Sequence, residues 1–131
     1  MPTRTWYPDK SLVLKTHEEM LSEFGGHAGF ERGIELFDVV LKGMKKAKGI
    51  YGKAAVLLRR LVDVRIFCDG NHRTAYAMTD IFLRMNGEKM STDDESKVIR
   101  FIKDIKSYDM IEIEAWLRDG KMPKRPCCSS S

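Results

Sequence analysis

The chain reads as an all-α domain of about six helices, with a small flap or hairpin near residues 25–31. Apolar residues recur at spacings of three and four through residues 54–64 and again from Ala75 to Met85, the period of a helix with one buried face. Start and stop signals flank these runs: Ser91-Thr92-Asp93-Asp94-Glu95 opens a helix, and Asn86-Gly87 ends one. Between them, Gly25-Gly26-His27-Ala28-Gly29 breaks helical structure completely.

Taken in order, the first ten residues read as an irregular arm, pinned to the body by Trp6 and Tyr7. A first helix is expected over about Leu14 to Phe24, with Leu14, Met20, Leu21 and Phe24 for the core. The glycine loop follows, as a flap or a plain flexible connector. Gly33 to Met44 then places Ile34, Phe37, Val40 and Leu41 at helical spacing. Lys42 to Gly49 follows as a basic link whose lysines read as a solvated surface. The most apolar helix runs from Ala54 to Val64, with Ala54, Leu57, Leu58, Leu61 and Val62 facing inward and Arg59, Arg60 and Asp63 outward. Another begins at Asn71 or His72 and buries Ala75, Met78, Phe82 and Met85. These two helices should form the centre of the fold. Val98, Ile99, Ile102 and Ile105 supply the stripe of the next helix. A last one, about Met110 to Arg118, contributes Ile111, Ile113, Trp116 and Leu117.

The totals narrow the class. At 131 residues the chain is one domain, residues 1–122, with 123–131 read as a disordered tail. Hydrophobic residues are 43% and charged residues 32%, ordinary for a soluble globular protein. A net charge of +4 is too slight for a nucleic-acid binder, which needs a denser basic stripe. No apolar run is long enough for a membrane span and the N-terminus is no signal peptide, so a cytoplasmic location is expected. Cys68, Cys127 and Cys128 form no CxxC pair, which argues against a zinc site or a disulfide framework.

The run Phe67-Cys68-Asp69-Gly70-Asn71-His72-Arg73-Thr74-Ala75 carries the chemistry. It passes from an aromatic anchor through an acid and a glycine turn into the first turn of a helix. A helix N-terminus offers unpaired N–H donors and about half a positive charge, which suits an anion. Asn71 is a good N-cap, Gly70 allows close backbone approach, Arg73 can fork onto a phosphate, and Asp69 is a hard oxygen ligand for Mg²⁺. An Asp-Gly turn capping an ordinary helix is the simpler alternative.

The wider stretch, Arg65-Ile66-Phe67-Cys68-Asp69-Gly70-Asn71-His72-Arg73-Thr74-Ala75, resembles the signature loop of the Fic/Doc family, His-Pro-Phe-x-Asp/Glu-Gly-Asn-Gly/Lys-Arg. Thr16-His17-Glu18-Glu19-Met20 through Gly29 is similar to the Doc-type first helix and Gly-Gly loop. Ala54 to Leu58 leads into the motif at the family's distance, and Ile81 to Gly87 closes the next helix in its manner. The resemblance implies a compact Fic/Doc helical bundle that moves AMP, or in the Doc branch a phosphate, from a Mg²⁺-bound nucleoside triphosphate such as ATP to a protein hydroxyl of Ser, Thr or Tyr. By that resemblance Asp69 holds Mg²⁺, the backbone of Gly70, Asn71 and His72 cradles a phosphate, the Asn71 side chain touches it, Arg73 neutralises its neighbours and Phe67 anchors the loop. The region of residues 25–31 would be the flap along which a target segment lies. Partners would be the target protein and, in a toxin–antitoxin setting, an antitoxin. Neither end carries the family's inhibitory Ser/Thr-x-x-x-Glu-Gly/Asn pattern, so regulation is expected from another chain.

The pattern departs at its catalytic base: Arg65 stands at the family's histidine. A guanidinium stays protonated and cannot take a proton from an attacking hydroxyl. Losing a general base removes about 10²- to 10⁴-fold in rate. A natural pseudo-enzyme, a deliberately inactivated toxic protein and an altered mechanism all fit, as does a non-catalytic module that binds nucleotide or protein. His72 replaces the family's Gly or Lys and can donate to a phosphate when protonated, which favours the Doc-like side. His17 reads as a surface or satisfied structural histidine, and His27 lies in the flap within approach of the site.

Overall fold

The computed structural model describes residues 4–121. The expected tail at 123–131, with Cys127 and Cys128, lies outside the described residues. Six helices follow one another: α1 (Lys10–Phe24), α2 (Phe37–Lys46), α3 (Ile50–Val64), α4 (Asn71–Met85), α5 (Glu95–Lys103) and α6 (Met110–Asp119). Short 3-10 turns, Ile34–Leu36 and Ile105–Ser107, precede α2 and follow α5.

The helices on either side of the motif do form the centre. α3 is flanked by α2, α4 and α6, while α4 packs on α1, α3 and α5. The inward face of α3 is the one the apolar spacing names: Ala54, Leu57, Leu58, Leu61 and Val62 are all buried. On α4, Ala75, Met78 and Phe82 are fully buried. Met85, in the last turn of α4, is 55% exposed instead of buried. The arm is pinned as expected. The Asn86 side chain accepts from the Trp6 N–H at 2.8 Å and donates to the Trp6 carbonyl at 3.0 Å, and Tyr7 packs on Phe82.

Several expectations need correcting. α1 starts a turn earlier than Leu14, because Asp9 caps it by accepting from the Leu12 N–H at 2.9 Å. Its buried stripe is Val13, Thr16 and His17, continuing to the half-buried Met20, at i, i+3, i+4 and i+7. Leu14 is rotated off that stripe and Phe24 sits at the helix end, so both are exposed. α2 begins later than Gly33, after its 3-10 turn, and runs to Lys46 inside the expected basic link. Lys45 and Lys46 there complement the helix dipole. The Lys53 ammonium closes that end by donating to the carbonyls of Met44 and Ala47. α3 begins at Ile50, a turn before Ala54.

The α5 start is as read, with Asp94 accepting from the Ser96 N–H. Its stripe holds at Val98 and Ile102 and is carried to Ile105 by the second 3-10 turn. α6 opens with an Asp109–Glu112 capping box, and Ile113 and Leu117 are buried. Ile111 is 71% exposed because it falls on the opposite side of α6 from Ile113 and Leu117.

The flap is not a hairpin on itself. It pairs with the motif loop, and the pairing is antiparallel at the Phe30–Phe67 bridge.

Candidate functional site

The motif loop is held from two sides. On one, residues 27–33 run past it. The His27 N–H donates to Asp69 Oδ2 at 2.8 Å, the Cys68 N–H to the Gly29 carbonyl at 3.1 Å, and the Glu31 N–H to the Ile66 carbonyl at 2.9 Å. Phe30, itself exposed, stacks on Phe67 at 5.6 Å. On the other side stands His17 of α1. Its ring lies flat on Phe67, 3.5 Å between centroids and 5° between planes. Its Nε2 is 2.7 Å from the Asp69 carbonyl, which can only accept, so Nε2 carries the proton. His17 is therefore a satisfied structural histidine, but it is buried and structures the motif itself.

Two glycines are required by this packing. Gly70 has φ of +80°, and a Cβ there would come within 3.4 Å of the His17 ring. Gly26 has φ of +124°, and its Cβ would press on Leu21 and on Asp69 at 3.1 and 3.2 Å. Flap and loop thus approach more closely than side chains allow.

The structure brings Asp69, Gly70, Asn71, His72 and Arg73 together with Met20 and Phe24 of α1 and Gly25 and Gly26 of the flap around a cleft of about 340 Å³. Phe24, expected in the core, is a wall of this cleft, and the Arg73 guanidinium lies 3.7 Å over its ring. That stacking and a 3.4 Å contact with Glu95 hold Arg73 at the cleft edge.

The N-cap of α4 is Gly70, not Asn71. Asn71 turns its buried side chain back on Phe67, donating Nδ2–H to the carbonyl at 2.7 Å and accepting the Phe67 N–H at 3.2 Å. Its amide group is thereby committed to holding the loop. The expectation that it touches a phosphate gains no support from this geometry. The consequence is useful for an anion. The first amide bond at this end of α4 runs from Thr74 to Gly70, so among the described residues the N–H groups of Asn71, His72 and Arg73 have neither a carbonyl nor a side-chain cap. Thr74 Oγ1, in the same turn, is buried with no partner among the described residues.

Phe67 is a buried anchor beneath the loop rather than a wall of the cleft. Arg65 does not line the cleft either. It ends α3 in the left-handed region, φ 49° and ψ 60°, and pairs with Glu31 of the flap at 3.2 Å, both about half exposed. His72 lines the cleft, but burial first, and then the charges of Arg65, Lys103 and Lys106, hold its imidazole below the ordinary range. It is neutral near pH 7, so protonated donation to a phosphate is not its resting state. His72 binds fewer protons folded than unfolded, so stability falls as pH drops below about 6.5. Melting temperature should therefore decline from pH 7.5 to 5.5, and less steeply in His72→Gln. Equal slopes would contradict this placement.

Sequence reasoning missed Glu95 and Glu31, the partners of Arg73 and Arg65, and, for His17, that the structural histidine it expects is the one that holds the motif loop. Only His17 gave a signal: it stands one turn before Met20 and Leu21, on the face that a helix starting at Lys10 buries.

Among the described residues no helix is long and apolar enough to cross a membrane. No curated protein matches the chain. The Fic/DOC family model matches residues 7–83, more than half of the sequence, from the arm through α1, the flap, α3 and the motif to near the end of α4. Because that match spans every element that builds the cleft, the chain belongs to the Fic/DOC family.

Proposed function

We propose that this protein is a Fic/Doc-type transferase that binds a Mg²⁺-bound nucleoside triphosphate at Asp69–Arg73 and moves a nucleotidyl or phosphoryl group to a protein hydroxyl, slowed by the arginine at position 65. The observation that carries the reading is the open first turn of α4: three residues that line the cleft, Asn71, His72 and Arg73, whose amides have no acceptor among the described residues. The residues fit the expected group. Asp69 keeps Oδ1 without a partner among the described residues, whereas Oδ2 takes the flap amide. No set of three His, Cys, Asp or Glu gathers anywhere among the described residues. A cation here would have one carboxylate and complete its shell with phosphate oxygens and water, as Mg²⁺ does on nucleotides.

A bound Mg²⁺-triphosphate supplies an electrophilic phosphorus and neutralises charge on its leaving group. The chain would supply position and charge: the amides of Asn71, His72 and Arg73 would donate to phosphate oxygens and the Arg73 guanidinium would neutralise neighbouring ones. Arg65 adds positive charge near His72 and accepts no proton. A toxin role with an antitoxin belongs to the same proposal and rests on the family alone.

Thermal melting tests binding. At ten times Kd, Mg-ATP should add about 1.4 kcal/mol, which is about 5 °C for a domain of this size. Arg73→Ala should abolish the shift. No shift at millimolar nucleotide would favour a non-catalytic module that binds protein.

A further inference from the structure

Beyond Arg73 lies a second depression. It opens between α4 and α5, holds about 300 Å³, and is lined by Arg73, Glu95, Ser96, Ile99, Arg100 and Lys103. Arg73 is the wall it shares with the cleft, so the two are neighbours. Arg100, Lys103 and Lys106 recur every three residues along α5 and the turn after it, all exposed. Such spacing keeps successive side chains on neighbouring parts of one face. None of the three has an ion pair or a hydrogen bond among the described residues, while Arg59, Arg65, Arg73, Arg84 and Arg118 are each matched with an acid. Lys103 and Lys106 stand near enough to the cleft for their charges to help hold the His72 imidazole below its ordinary range, after burial and Arg65.

We propose that this cationic groove docks an acidic segment of the protein whose hydroxyl is modified, so that carboxylates flanking that hydroxyl lie along Arg100, Lys103 and Lys106. The inference rests on the transferase reading and names its substrate class. Charge complementarity selects the occupant. Unmatched cations beside a binding site attract an acidic partner and speed its encounter. A polyphosphate running on from the cleft is disfavoured, because the Glu95 carboxylate stands at Arg73, where the two depressions meet. Carboxylates spaced along a peptide can step past that acid. The half-buried Ile99 and the Ser96 hydroxyl offer the apolar and polar contacts that a peptide uses and a phosphate chain does not.

The test uses the full chain and a fluorescent serine-containing peptide rich in Asp and Glu, with a Gln/Asn version as control. The acidic peptide should bind, the control should not, and affinity should fall steeply as salt rises. The double variant Arg100→Glu/Lys103→Glu should bind at least about tenfold more weakly while keeping its Mg-ATP melting shift, which also shows that it folds. Equal peptide affinity in wild type and variant, or no binding to wild type, overturns the proposal. So does inorganic triphosphate that binds wild type, displaces the peptide and fails to bind the variant, since that marks a phosphate site. Peptide binding without any nucleotide shift in the wild type would instead sink the transferase reading and leave the groove as a docking site.

Discussion

Arg65→His is expected to raise nucleotide-dependent labelling of protein by about 10²- to 10⁴-fold, the range that a positioned general base contributes. The backbone is ready for it. Position 65 holds φ of 49°, a left-handed conformation that histidine adopts more readily than most side chains. What is lost is the pairing with Glu31, an exposed contact worth at most about 1 kcal/mol. The flap keeps its backbone bonds to Ile66 and Cys68, so the cleft keeps its shape. Transfer of a radiolabel from nucleotide to protein, compared between the two proteins at matched nucleotide occupancy, measures the gain. An unchanged rate with intact nucleotide binding would mean that the proton is not taken at position 65.

His17→Ala should be the most damaging single change outside the apolar core. It removes a buried ring stacked on Phe67 and leaves the Asp69 carbonyl without its donor. Deleting a buried aromatic ring and removing the donor of a partly buried carbonyl together cost about 3–5 kcal/mol. The melting temperature should fall by about 10 °C or more. His17→Phe separates the parts: it keeps the stacking, loses only the hydrogen bond, and should lie between alanine and wild type. In both variants the Mg-ATP shift should shrink, because the Asp69–Gly70 turn is no longer held against α1. A nucleotide shift of wild-type size in His17→Ala would show that the loop keeps its form without this contact.

These two positions mark what the sequence could and could not convey. The face of α3 is legible because every buried position is apolar, and that of α4 because Ala75, Met78 and Phe82 keep the helical period although Asn71, Thr74 and Thr79 are buried beside them. α1 is not, since its buried stripe contains Thr16 and His17, and the partner that makes His17 tolerable in the interior is 52 residues away. Asn71 misleads for a related reason. An asparagine at a helix start ordinarily caps it, but here the side chain finds both backbone groups of Phe67, and glycine takes the cap. Met85 and Ile111 look like core residues by type and are exposed, because burial depends on whether a neighbouring element covers that face. The flap is visible as a glycine cluster, yet its pairing with residues 66–69 is a tertiary fact that no local pattern contains. Of the site, the contiguous run from Asp69 to Arg73 is readable because one turn delivers all of it to one cleft. The match of Arg65 with Glu31 and of Arg73 with Glu95 depends on chain segments brought together only by folding.

The most direct measurement is an amide NMR titration of the uniformly ¹⁵N-labelled protein with Mg-ATP. The N–H signals of Asn71, His72 and Arg73 should move downfield together and saturate with one affinity, as three free donors gain phosphate acceptors. Unmoved signals at those three residues under saturating nucleotide, or the same shifts persisting in Arg73→Ala at unchanged affinity, would contradict this.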